Sequence, residues 1–368
     1  MTHRSKANGI LIVLLAYCTF AQPEKARAQS AGSVAVSGAV QLRATAGISD
    51  SSGQERVGFG VRRARLRFDG QLAQGPGAFV QIDGAGGTAN VLDFFVYYDL
   101  SSTLRIRAGR MVSAQPRSFI RTGMFQIDGV DRPAVAERWG QGTVGGDGRD
   151  FGIDAHLKSG ALEALVFLHN GDGSWDRRRG NFRESISGGS ATGGLGQTRL
   201  AVTGAFRVTP SAPSGLELGV FGGYNPVEGP NTVQSNQGRT YVTYGAHAYL
   251  GANPASRRLR LKADLIGTTY EALPGRDSQQ SLGIILFGAF GVTDFAEVYV
   301  RSEALEEDLN GSDDADGYFS AGFSFSPSAR RGGAYHAERI TLDYGRFKGG
   351  ELMAEAENLI TLQLQLVF

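Results

Sequence analysis

The last ten residues of the chain, Leu359-Ile360-Thr361-Leu362-Gln363-Leu364-Gln365-Leu366-Val367-Phe368, alternate with a period of two. Ile360, Leu362, Leu364, Leu366 and Phe368 fall on one side, and Thr361, Gln363 and Gln365 on the other. An extended strand sorts residues this way, because its successive side chains point to opposite faces. One apolar face and one hydrogen-bonding face suit a wall that separates hydrocarbon from water.

The pattern recurs upstream. Ala64, Leu66 and Phe68 oppose Arg63, Arg65, Arg67 and Asp69; Leu104, Ile106 and Ala108 oppose Arg105 and Arg107; Leu259, Leu261, Ala263 and Leu265 oppose Arg258, Arg260, Lys262 and Asp264. A soluble sandwich also shows such faces, so the number of segments decides. Sixteen strands are predicted, from 34–48 and 57–72 through to 357–368. Their connections alternate in length: 74–77, 101–102, 159–160 and 291–294 are tight, whereas 112–148, 170–198 and 225–238 are long, as on the two rims of an outer-membrane barrel. An open sheet edge in hydrocarbon leaves costly unpaired backbone groups, so the first strand is expected to pair with the last, antiparallel, which an even count permits. The expected fold is all-β, a 16-stranded antiparallel transmembrane β-barrel. No apolar run is long enough for a spanning helix, and 53 glycines beside only 11 prolines fit a turn-rich architecture.

The first segment reads as a signal peptide, 1–28. Arg4 and Lys6 precede the apolar run Ile10 to Ala16, and Ala26-Arg27-Ala28 supplies the small-x-small cleavage pattern. The only cysteine, Cys18, lies inside it, so residues 29–368 carry no disulfide, thiolate metal site or cysteine nucleophile. The remaining chain is close to neutral, which argues against a nucleic-acid partner. Its cations are almost all arginine, with lysine only at Lys158, Lys262 and Lys348, and arginine suits two-point contact with planar oxyanions.

With Leu66 and Phe68 toward lipid, Arg63, Arg65 and Arg67 form a ladder in the lumen with steps of about 7 Å, twice the strand rise. Arg105 and Arg107 enter the same lumen, and Arg258, Arg260 and Lys262 line another wall. Rings of like charge select ion sign in pores. The competing reading is that these cations brace the wall through pairs with Asp154, Glu163, Asp264 and Glu297. Arg110 shares parity with Leu104, Ile106 and Ala108, which requires either a bulge at Gly109 or a place at the outer interface.

Gly60-Val61-Arg62-Arg63-Ala64-Arg65-Leu66-Arg67-Phe68-Asp69-Gly70, Leu104-Arg105-Ile106-Arg107-Ala108-Gly109-Arg110, Gly148-Arg149-Asp150-Phe151-Gly152-Ile153 and Phe167-Leu168-His169-Asn170-Gly171-Asp172-Gly173 follow one another in order. With the terminal phenylalanine, they give a chain that resembles the phosphate-selective porin O and P family of Gram-negative outer membranes. The resemblance implies a homotrimer in the outer membrane and passage of small inorganic anions, phosphate or polyphosphate among them. It also implies a third long loop, here 112–148, folded into the lumen and carrying Arg117, Arg121, Arg132 and Arg138 at an eyelet. Lipopolysaccharide and, through Phe368, the barrel assembly machinery are the further partners it implies. The scarcity of lysine departs from the basic funnels of phosphate-collecting members.

Other readings stay open at this stage. They are a general non-selective porin, a structural or adhesive barrel plugged by its loops, and a barrel enzyme. His156, His169, His247 and His336 are available to an enzyme, but the chain has no G-x-S-x-G elbow, and no enzymatic activity is expected. No cofactor is expected: the glycines of 84–89 read as a hairpin loop, because no helix follows them to receive a pyrophosphate. The acidic stretch Glu306, Glu307, Asp308, Asp313, Asp314 and Asp316 matches a calcium loop only superficially, and no metal site is assigned. Phe94-Phe95, Tyr97-Tyr98 and the pair Phe323 and Phe325 are candidates for interfacial girdles or a subunit contact.

Overall fold

In the computed structural model, sixteen strands form one closed sheet in which every neighbouring pair is antiparallel. The structure describes residues 32–49, 52–53, 55–73, 75–143, 147–171, 200–226, 240–272, 277–310, 315–348 and 357–368. The expected signal peptide with Cys18, and Asp172, Gly173, Trp175, Asp313 and Asp314, lie outside these residues.

The strands are β1 (Ser33–Ser49), β2 (Glu55–Gln71), β3 (Gly77–Asp83), β4 (Asn90–Asp99), β5 (Leu104–Met111), β6 (Asp150–Ser159), β7 (Leu162–His169) and β8 (Ala201–Val208). They continue as β9 (Leu216–Asn225), β10 (Tyr241–Leu250), β11 (Leu259–Tyr270), β12 (Gln279–Thr293), β13 (Ala296–Glu306), β14 (Asp316–Phe325), β15 (Glu338–Lys348) and β16 (Glu357–Val367). Each pairs with its sequence neighbours, and β1 pairs with β16 to close the wall, with Leu42 opposite Leu364. At this seam Gln41 Nε2 donates to Gln365 Oε1 at 2.7 Å, and Gly38 N donates to the Phe368 carbonyl at 2.7 Å. The Phe368 ring packs on the bare backbone of Gly38, where a Cβ would displace it.

Alternation along each strand decides what faces where. Leu66, Leu261, Leu286, Val300, Leu342 and Leu364 are exposed on the outside, whereas Gln41, Arg63, Asp154, Glu217, Glu297, Arg301 and Gln363 are buried inside. This inverts the usual order of a water-soluble domain, and closure of the ladder from β1 to β16 removes the open sheet edge that hydrocarbon would penalise. Among the described residues no helix is long and apolar enough to cross a membrane. Arg65 lies inside and Leu66 outside, as the alternation predicts.

Two interruptions of the alternation matter. The β1–β2 register shifts between Gln41, opposite Arg63, and Leu42, opposite Val61, so Arg62 is an extra residue in β2. Such a bulge lets two consecutive side chains reach one face. In β5 the register is continuous through Gly109, but Gly109 has a φ of +139°, a conformation that favours glycine. Beyond it Arg110 is buried, with its guanidinium on Asp147 and the Arg149 carbonyl.

Candidate functional site

Between β5 and β6 the chain leaves the wall and returns only at Asp150. The segment contains a 3₁₀ turn, Met124–Gln126, and one helix, α1 (Ala134–Thr143). Its apolar side packs on the inner wall: Phe119, Val135 and Trp139 join Leu165, Phe167, Ala205, Phe221, Ile266 and Ile285 in one buried cluster. Trp139 meets Phe119 and Phe221 edge-on, at centroid distances of 5.6 and 5.8 Å, and its indole N–H donates to Thr243 Oγ1 at 2.8 Å. An apolar inner wall over β7–β12 is thereby used up as packing surface.

Polar pins hold the rest of the segment to the other strands. Arg117 Nε donates to Glu217 at 2.8 Å and Arg121 to Glu163 at 2.7 Å. Asp128 accepts from Arg260 at 2.6 Å and from Lys262 at 2.7 Å. Arg339 donates to the Ile127 carbonyl, Arg301 to the Asp131 carbonyl, and Glu303 accepts from the Val135 N–H at the start of α1. Asp131 accepts from Arg43 at 2.6 Å and from Arg62 at 2.9 Å, with Arg63 at 3.9 Å. Contacts with β1, β2, β7, β9, β10, β11, β13 and β15 of a closed barrel place the segment across the lumen.

The ten lumen candidates divide into three groups. Arg65, Arg105, Arg107, Arg117, Arg121, Arg260 and Lys262 each hold a carboxylate: Asp83, Asp99, Asp154, Glu217, Glu163, Asp128 with Glu297, and Asp128, respectively. These arginines brace the wall and the inserted segment. Arg63 and Arg67 are less committed. Arg63 donates to Gln41 and its Nε has no partner among the described residues. Arg67 donates to Gln81 at 2.6 Å and stacks 4.8 Å over Phe125, with no carboxylate within 4 Å among the described residues. Arg258 stands apart: it precedes β11, is exposed, and lies 5.1 Å over the outward ring of Phe290. The lumen-facing row of this strand begins at Arg260, two residues later than the alternation suggested.

Four further arginines enter the site. Arg43 and Arg62 meet on Asp131; Arg149 holds Asp93; and Arg132 is buried, donating to the carbonyls of Phe119 and Thr122. Arg62 is invisible to a strict period of two, because the bulge turns it inward. Its doublet with Arg63 is the signal that marks it, since two adjacent arginines on a wall strand cannot both stay out of lipid without one.

Eight guanidiniums, of Arg43, Arg62, Arg63, Arg65, Arg67, Arg110, Arg132 and Arg149, and six carboxylates, of Asp83, Asp93, Asp131, Glu137, Asp147 and Asp343, are electrostatically coupled around the inserted segment. Cations are in excess. Burial works to raise the Asp131 pKa, but the hydrogen bond and charge of Arg43, with the charges of Arg62 and Arg63, hold it down at about 2. Burial pushes Arg132 down, as do the charges of Arg65, Arg149 and Arg62, against the pull of Glu137.

Among the histidines, His169 is buried in the wall. His169 Nδ1 lies 2.8 Å from Asp150, which also accepts from the Gly171 N–H, and its ring stacks on Phe167 at 4.5 Å. Among the described residues no cluster of three or more His, Cys, Asp or Glu side chains could hold a metal ion. The aromatic doublets split by parity: Phe94 and Tyr98 face outward, whereas Phe95 is half-buried and Tyr97 buried on the lumen side.

No protein-family model and no curated protein matches the chain. Solved structures do. An anion-selective porin from Comamonas acidovorans superposes with a TM-score of 0.64 at 13% identity, over 92% of this chain and 100% of that one. The outer membrane channel DcaP of Acinetobacter baumannii gives 0.63 at 12% identity, over 94% and 99%. The trimer form of the outer membrane protein OmpT of Vibrio cholerae gives 0.60 at 11% identity, over 92% and 100%. At such identities the likeness establishes the fold, a porin-like barrel.

Proposed function

We propose that the chain is an outer-membrane porin through which small anions diffuse passively, driven by their own gradient. The observation that carries this reading is the surplus of guanidinium over carboxylate groups where the inserted segment narrows the lumen. In a confined, partly desolvated passage such a surplus raises the local anion concentration and repels cations. Phosphate and polyphosphate belong to the solutes proposed, without strict preference. Of the lysines, Lys262 is held on Asp128, and no lysine takes part in the cationic cluster.

The similarity to an anion-selective porin supports the same sign of selectivity, and the trimer form of the OmpT neighbour supports a homotrimer. Export through a leader of residues 1–28, and contact with lipopolysaccharide and the barrel assembly machinery, complete the proposal. The test is the zero-current potential of the purified protein in a planar bilayer across a potassium chloride gradient. A chloride-selective potential that falls in Arg67→Gln with Arg132→Gln supports the reading. Absence of conductance steps, or equal passage of potassium and chloride, overturns it.

A further inference from the structure

We infer that the lumen wall formed by β2, β3 and β4 is a binding site for flat, ring-bearing carboxylates, an inference that rests on the anion-pore reading above and adds a substrate class to it. Phe79 opposes Phe95 across the β3–β4 pair, and the two rings stack at a centroid distance of 5.1 Å with 25° between their planes. Both point into the lumen and both are half-buried rather than buried. Phe95 also leans on the buried cluster beneath the inserted segment, whereas Phe79 lies outside that cluster and keeps exposed ring surface on the lumen side, where it offers a recognition surface.

Two arginines, Arg67 and Arg107, belong to this stretch of wall. Arg67 lies one inward position above Asp69, which pairs with Phe79, and it donates from Nε to Gln81 Oε1 at 2.6 Å. Its two terminal nitrogens keep their donors for an incoming group, since no carboxylate lies within 4 Å among the described residues. On the other side Arg107 stacks 5.3 Å over Phe95 while holding Asp154. The inserted segment brings Phe125 under the Arg67 guanidinium at 4.8 Å. A carboxylate paired in two-point fashion with Arg67 leaves an attached ring lying over Phe79, where stacking adds to the charge contact. A small inorganic anion uses only the second of these.

Competition in the bilayer tests this. Chloride current through the wild-type protein is measured with added benzoate, acetate or cyclohexanecarboxylate. Benzoate is expected to reduce the current at concentrations several times lower than the other two. Phe79→Leu and Arg67→Gln are each expected to weaken the benzoate effect roughly threefold to tenfold relative to acetate, whereas Phe206→Leu, on the outer face, keeps the wild-type ratio. Equal effects of benzoate and cyclohexanecarboxylate on the wild-type protein overturn the inference without need of any variant. Anion preference with no distinction between benzoate and acetate overturns this inference alone; loss of anion preference in the wild-type protein overturns the porin reading and this inference with it.

Discussion

Arg62 and Asp131 are joined by a 2.9 Å hydrogen bond although 69 residues separate them, one on a wall-strand bulge and the other on the inserted segment. Arg43 takes the other Asp131 oxygen at 2.6 Å. The carboxylate is therefore both a clasp for the segment and a partial screen for the surrounding cations. Asp131→Asn keeps the shape and removes the charge. One unit charge at about 7 Å in a water-like dielectric is worth ~0.6 kcal/mol. The chloride-over-potassium permeability ratio is expected to rise about two- to threefold, with noisier single-channel current as the clasp weakens. An unchanged zero-current potential would show that Asp131 does not face the ion path.

Among the described residues Arg132 donates to the carbonyls of Phe119 and Thr122 and makes no ion pair, so its charge is balanced only at longer range, by Glu137. Arg132→Gln is expected to lower chloride preference by about the same two- to threefold factor. Arg107→Gln instead leaves Asp154 uncompensated. Its main expected effect is on heat stability of the folded barrel, read by gel mobility, because breaking a buried pair strands the remaining charge.

Phe119 is completely buried between Trp139 and the wall. Phe119→Ala is expected to weaken attachment of the inserted segment by about 3 to 5 kcal/mol, while the strand pairing of the barrel is untouched. Limited proteolysis within 112–148, at an unchanged barrel melting temperature, is the corresponding readout.

The pH dependence follows from Asp131. Its pKa is depressed from an ordinary 3.8 to about 2, so the stabilisation it gives is complete above pH ~4 and is lost as pH falls through about 2. Quiet, fully anchored conductance is expected from neutral pH down to about 4, with flickering below it. In Asp131→Asn the added flicker is present at all these pH values. Loss of quiet conductance already near pH 6 in the wild-type protein would assign the acid response to another group.

The barrel was legible in the sequence because lipid on one side and water on the other force a period of two that survives through sixteen strands. The first strand, expected at 34–48, spans Ser33–Ser49, and the last, expected at 357–368, spans Glu357–Val367. Departures arise where one strand's period carries too little information. Arg62 turns inward through a bulge defined by its pairing with β1, and Arg110 is re-aimed by the φ of Gly109. Whether an arginine is braced depends on what lies across the register. Arg65 meets Asp83 and Arg107 meets Asp154 as direct cross-strand partners, a relation no single strand encodes. Adjacent aromatics such as Phe94 and Phe95 read as one girdle in sequence and serve opposite sides of the wall in space.

The seam between β1 and β16 has a consequence for how the wall assembles. Gln41 and Gln365 are 324 residues apart, whereas each of the other strand contacts joins sequence neighbours that can zip as hairpins. Closing that gap carries the largest loop entropy in the molecule, and distant contacts slow the search for the native state. The ring is thus expected to shut last, from an already curled ribbon. A circular permutant that links Phe368 to Gly32 and reopens the chain at Gly160 would exchange the slowest encounter for a local one.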